Sequence, residues 1–139
     1  MAFLRPLPLT VDFHGEPAIS PLGYSDEWIL LTEWTFRVSS DDGELLTLTV
    51  PDGFVTDLAS VPRLPAAYLL FGNRARRAAI LHDWLYTERF PREWADAVFF
   101  AAMRHEVNPP AAYAMWLAVR VGGGSYYREA GTSSVQVEN

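Results

Sequence analysis

Trp28-Ile29-Leu30-Leu31-Thr32-Glu33-Trp34-Thr35-Phe36-Arg37-Val38 is the stretch that decides the fold class. Its even positions are Trp28, Leu30, Thr32, Trp34, Phe36 and Val38, and its odd positions include Glu33, Thr35 and Arg37. Side chains alternate across a strand, so period two with one apolar side predicts a strand with one buried face. Ser39-Ser40-Asp41-Asp42-Gly43 reads as a turn. Glu44 to Val50 then alternates again, with Leu46, Leu48 and Val50 on one side and Thr47 and Thr49 on the other. The two runs together predict a β-hairpin. Pro51-Asp52-Gly53 breaks it, Phe54-Val55-Thr56 is a short third strand, and Leu9 to Phe13 adds an edge strand before His14-Gly15.

Past this region the period changes from two to that of a helix. Asn73 can cap a helix running through Arg76, Ala79, Ile80 and His82 to about Thr87. Pro91 suits the first turn of a second helix through Trp94, Ala95, Val98, Phe99 and Met103. Asn108-Pro109-Pro110 opens a third, Ala111 to about Val121, with Tyr113, Trp116 and Leu117 on one side and Gly122-Gly123-Gly124 as its stop. The expectation is an α+β fold: a small antiparallel sheet in the N-terminal half packed against about three C-terminal helices. Residues 1–128 are expected to form one domain, and 129–139, polar and rich in small residues, a flexible tail.

Composition narrows the function classes. The chain has 139 residues, half of them hydrophobic, which is enough for one domain with a real core. Its net charge of −6 argues against a nucleic-acid backbone binder and against electrostatic docking on acidic lipid. The short Arg74, Arg76, Arg77 cluster reads as the solvated face of a helix. Absence of cysteine excludes a disulfide framework, thiol catalysis and cysteine-ligated zinc, and fits a reducing compartment. Met1 to Val11 lacks the apolar core of a signal peptide, and no apolar run approaches the ~20 residues that span a bilayer. The protein is expected in the cytoplasm of the cell that makes it, unless a particle carries it out.

The strongest chemical signal is Leu81-His82-Asp83-Trp84-Leu85-Tyr86, with Asp96 ten residues beyond. Positions i and i+4 share a helix face, so His82 and Tyr86 project together, with Asp83 one step around. If the next helix packs antiparallel, Asp96 returns to His82. The set then holds a neutral imidazole base, a carboxylate to orient it, a phenol to buttress it and a second carboxylate, Asp83, for a cation. Gly53 to Arg63 leaves a strand carrying Asp57, Thr56 and Ser60 and closes on Pro62. Asp57 can cap the turn through Ser60, or it can face Asp83 and complete an oxygen-rich Ca²⁺ or Mg²⁺ site. A transition-metal site is disfavoured because no second His lies at a ligand spacing; His14 and His105 are isolated and read as surface residues.

Two resemblances attach to these residues. Phe54-Val55-Thr56-Asp57-Leu58-Ala59-Ser60-Val61-Pro62-Arg63, Ala79-Ile80-Leu81-His82-Asp83-Trp84-Leu85-Tyr86 and Ala95-Asp96-x-x-Phe99 together resemble a domain-of-unknown-function family common in tailed bacteriophages and prophages. The likeness runs from about Pro51 to Gly122 and implies a phage origin without an activity. Separately, H-D-x-x-Y on one helix and A-D-x-x-F on the next is similar to the catalytic helices of phospholipase A2 enzymes. That likeness implies His82 as general base, Asp83 as calcium ligand, and Tyr86 with Asp96 as orienters. Tyr68-Leu69-Leu70-Phe71-Gly72-Asn73 stands where those enzymes carry their calcium loop. The chain differs from them in lacking disulfides, the loop glycines and the longer helix spacing.

Two functional readings follow. In the first, the chain is a phage-encoded virion or accessory protein, a tail or particle component that contacts other phage structural proteins around a buried His82–Asp96 pair. Trp28, Trp34, Trp116, Tyr126 and Tyr127 are its candidate anchors. In the second, it is a cation-dependent ester hydrolase, with Ca²⁺ as the cation and membrane phospholipid as a candidate substrate, used when the phage enters or lyses its host.

Overall fold

The structure, a computed structural model, describes residues 5–23, 27–56, 76–124 and 127. The fold is α+β: six short strands precede three helices. The strands are β1 (Leu9–His14), β2 (Ile19–Pro21), β3 (Trp28–Leu30), β4 (Trp34–Ser40), β5 (Leu45–Val50) and β6 (Val55–Thr56). The helices are α1 (Arg76–Thr87), α2 (Arg92–Met103) and α3 (Pro109–Gly122).

The strands form two antiparallel three-stranded sheets, ordered β1-β4-β5 and β2-β3-β6, where one sheet was expected. The division falls inside Trp28–Val38. Leu31, Thr32 and Glu33 are all exposed and leave the strand conformation, so the alternating run becomes β3 and β4 in different sheets. Main-chain bonds fix the corner: Leu31 N–H donates to Ala18 O at 2.8 Å and Gly53 N–H to Leu30 O at 2.7 Å. Strand β2 has no period-two signature; Pro17 precedes it and Pro21 is its last residue. It forms because it is an edge, where a proline without an N–H is tolerated.

The hairpin forms as its sequence implies. Phe36 pairs with Leu48 and Val38 with Leu46, which sets the apolar positions of both strands on one face. Gly43 takes φ +91°, and Asp42 Oδ1 accepts the Glu44 N–H at 3.2 Å. Asn108 caps α3 by accepting the Ala111 N–H at 2.9 Å. Pro91 stands just before α2 as its N-cap. The Asn73 cap, the Asp57–Asn73 segment and the tail from 129 lie outside the described residues.

One apolar cluster joins both sheets to all three helices. It includes Val11, Trp34, Phe36 and Val50 from the first sheet, Leu30 from the second, and Ile80, Leu85, Val98, Phe99 and Val119 from the helices. Burying each such side chain contributes about 2 kcal/mol. α2 packs against α1, α3 and β1. Its sequence explains this central place: Ala95, Ala97, Ala101 and Ala102 let neighbours approach closely, and Val98, Phe99 and Met103 bury fully. Asp96 is the single carboxylate on its buried surface.

Candidate functional site

The helix stack brings His82, Tyr86 and Asp96 together. His82 Nε2 lies 2.7 Å from Asp96 Oδ1, and the Tyr86 hydroxyl donates to the same oxygen at 2.6 Å. His82 and Tyr86 are one turn apart on α1, and their rings contact with centroids 4.2 Å apart. Phe99 of α2 closes the other side of the imidazole at 4.7 Å. His82 and Asp96 are both 0 % exposed.

Two arginines complete the cluster. Arg120 of α3 donates to Asp96 Oδ2 at 2.8 Å, and Arg92 Nε stands 3.9 Å from the same oxygen. Arg92 also donates to the Val119 and Arg120 carbonyls at 2.9 and 2.7 Å. A cation there caps the Arg120 carbonyl and adds a second donor to the Val119 carbonyl, which also accepts the Gly123 N–H at 2.8 Å. One carboxylate is thus held by side chains from all three helices. Arg92 was readable as an i,i+4 partner of Asp96. Arg120 carries no local signal, because it lies 24 residues away on another helix.

The electrostatics assign protons. Burial lowers the pKa of His82, and the hydrogen bond to Asp96 only partly opposes it, so the imidazole is neutral near pH 7. Burial alone would raise the pKa of Asp96. Hydrogen bonds from His82, Tyr86 and Arg120 outweigh it and leave the carboxyl below its ordinary value, ionised. Burial and the adjacent Asp96 charge push the Tyr86 phenol up, so it stays protonated. An ionised acceptor and a neutral imidazole require the proton on Nε2 and leave Nδ1 as the basic nitrogen. The 2.7 Å contact is therefore a charge-assisted hydrogen bond, not an ion pair.

Asp83 is the residue expected as a cation ligand. It is half-buried toward β6, where the Thr56 hydroxyl donates to its Oδ2. Asp57, the other expected ligand, lies outside the described residues. A calcium ion takes six to eight oxygens. Among the described residues, no group of three or more His, Cys, Asp and Glu side chains could hold a metal. The described donors, one carboxylate and one hydroxyl, do not by themselves fit Ca²⁺. His14 and His105 are exposed; His105 Nε2 reaches the Val11 carbonyl, a structural tie between the turn after α2 and β1. Among the described residues, no helix is long and apolar enough to cross a membrane.

Comparison with known proteins gives one family match. The profile described as "Protein of unknown function (DUF1353)" covers residues 28–119. No curated protein and no solved structure matches the chain.

Proposed function

The chain belongs to the DUF1353 family, and on that premise we propose that it is a bacteriophage or prophage protein, a tail, particle or accessory component that works through protein contacts. In this reading the His82–Asp96 cluster is the rivet of its helical layer. The observation that carries it is burial: both side chains are 0 % exposed, and a reacting water needs access. The resemblance of the 54–99 pattern to proteins of tailed phages supports the source. The test is to induce a lysogen encoding the chain, purify the particles and assay them for it by mass spectrometry. Its presence at a fixed ratio to known tail proteins is the expected result. Absence from particles and from every assembly intermediate overturns the reading.

A second reading is favoured by one feature. Asp96 Oδ1 accepts from Nε2 of His82 and is itself held by the Tyr86 hydroxyl, so the proton sits on Nε2 and Nδ1 is the base, in line with the base-and-orienter roles the phospholipase A2 likeness implies. As a hydrolase, Nδ1 takes a proton from water, the hydroxide oxygen bonds to the ester carbonyl carbon, and the acyl C–O bond breaks as Nδ1–H returns its proton to the leaving alkoxide, giving a fatty acid and a lysophospholipid. Ca²⁺ is the cation of this reading, with Asp83 and Asp57 as its proposed ligands. Mixed phosphatidylglycerol micelles with and without Ca²⁺ test it. Fatty acid release that His82→Gln abolishes supports it, and no release under either condition removes it.

A further inference from the structure

We propose that the outer edge of β5, with the apolar groove beside it, is a docking strand for an extended, basic segment of a partner protein. The proposal deepens the protein-contact reading and rests on it for the source of the partner.

Register fixes which main-chain groups face out. Ser40 N–H bonds Glu44 O at 3.0 Å, so every second pair up the hairpin is hydrogen-bonded. Leu46, Leu48 and Val50 therefore turn their main chain to β4. Leu45, Thr47 and Thr49 turn theirs outward, and among the described residues β5 pairs only with β4. Natural edges are guarded by charge, proline or bulges. Leu45-Leu46-Thr47-Leu48-Thr49-Val50 has none of these within its span, and Leu45 and Leu46 stand 62 % and 45 % exposed. A six-residue uncharged edge of this kind is an aggregation hazard unless something covers it.

The groove at its end suits side chains of an added strand. It measures about 490 Å³ and is lined by Leu9, Val38, Leu46, Phe90, Pro91 and Trp94, with Glu44 at its rim. Added strands bind through main-chain bonds and place alternate side chains in such pockets.

Charge selects the occupant. The turn that opens β5 carries Asp41, Asp42 and Glu44, all exposed. A second copy paired antiparallel edge to edge would bring that turn beside exposed Asp52 of its neighbour, so like charges oppose self-pairing. A strand with apolar alternation and a terminal Arg or Lys meets both features.

The probe is the capped peptide Arg-Val-Thr-Val-Thr-Val-Arg, compared with the same peptide carrying Glu for Arg. Both are titrated into the full chain while amide shifts and hydrogen exchange are followed. The expected result is perturbation and protection at Leu45, Thr47 and Thr49, with the Glu peptide bound about tenfold more weakly. Asp41→Arg with Glu44→Arg reverses the preference and spares Asp42, which holds the turn. Thr47→Pro, tolerated on an open edge, removes the outward donor and the binding. No perturbation at β5, or equal binding of both peptides, overturns the proposal. Protection that instead grows with chain concentration as a dimer forms assigns the edge to a second copy and also overturns it. These outcomes are read on the isolated protein, so they stand apart from whether particles contain it.

Discussion

Asp96 is the residue on which the helical layer turns. Its carboxylate faces His82, Tyr86, Arg120 and Arg92 with no exposure to solvent. Asp96→Asn keeps the shape but removes the charge that offsets two guanidiniums, and it sets an amide donor against other donors. Breaking a buried charge network in this way costs about 3–5 kcal/mol. Tyr86→Phe removes a single donor to a charged group and costs about 1.5–3 kcal/mol. Urea unfolding measures both; Asp96→Asn losing no more than Tyr86→Phe would contradict the assignment. The pH dependence has a definite sign. His82 has a lowered pKa when folded, so between that value and about 6.5 the unfolded chain holds the extra proton. Stability therefore falls as pH drops below about 6.5. Asp96, also lowered, adds a further loss as pH falls below its ordinary 3.8. Glu106 acts oppositely: burial raises its pKa against the pull of Arg77, so its share declines as pH rises past 4.5. His82→Gln is expected to flatten the slope just below pH 6.5, and an unchanged slope would place the titrating group elsewhere. The His82–Tyr86 pair was legible because helical spacing aligns it, and Asp96 joined it on the expectation that the next helix packs antiparallel. Arg120 was not, because its approach depends on how α3 crosses α2.

At the scale of elements, the end of α3 is locked to this cluster through Gly123. A Cβ built there meets the Val119 carbonyl oxygen at 2.5 Å and the Tyr86 hydroxyl at 2.9 Å. Gly123 has an ordinary φ of −82°, so the glycine is required by space and not by backbone conformation. Gly123→Ala is expected to cost about 1–3 kcal/mol, the range for overpacking, and to shift the Tyr86 ring resonances. Gly122→Ala, with nothing within 4 Å of its added carbon, should not destabilise the fold and should leave the Tyr86 resonances unchanged, and equal losses from the two would refute the crowding. Other elements divide by how local their cause is. The β4–β5 hairpin and the Asn108 cap were readable, since turn residues and alternation lie within a few positions. The break at Leu31–Glu33 was not, because Leu31 and Thr32 continue the apolar and β-branched pattern and only pairing with Ala18 and Gly53 turns the chain.

At the scale of the whole molecule, a single apolar cluster reaches from Leu30 of the second sheet to Val119 of α3. The described parts are therefore expected to unfold together. Far-ultraviolet dichroism and tryptophan fluorescence should give coincident transitions in urea. Separate midpoints would mean that the second sheet and the helices hold independently. The α+β class was legible because the sequence changes period once, from two to helical, near its middle. The number of sheets was not, since sheet membership is decided by partners distant in sequence, as β3 shows by pairing with both β2 and β6. The reach of Arg120 to Asp96 also bears on synthesis. A ribosome releases α1 and α2 before α3, and until residue 120 emerges the anion between them lacks its closest guanidinium. Water must keep that gap open, so the nascent chain cannot seal its interior until the last helix has been translated.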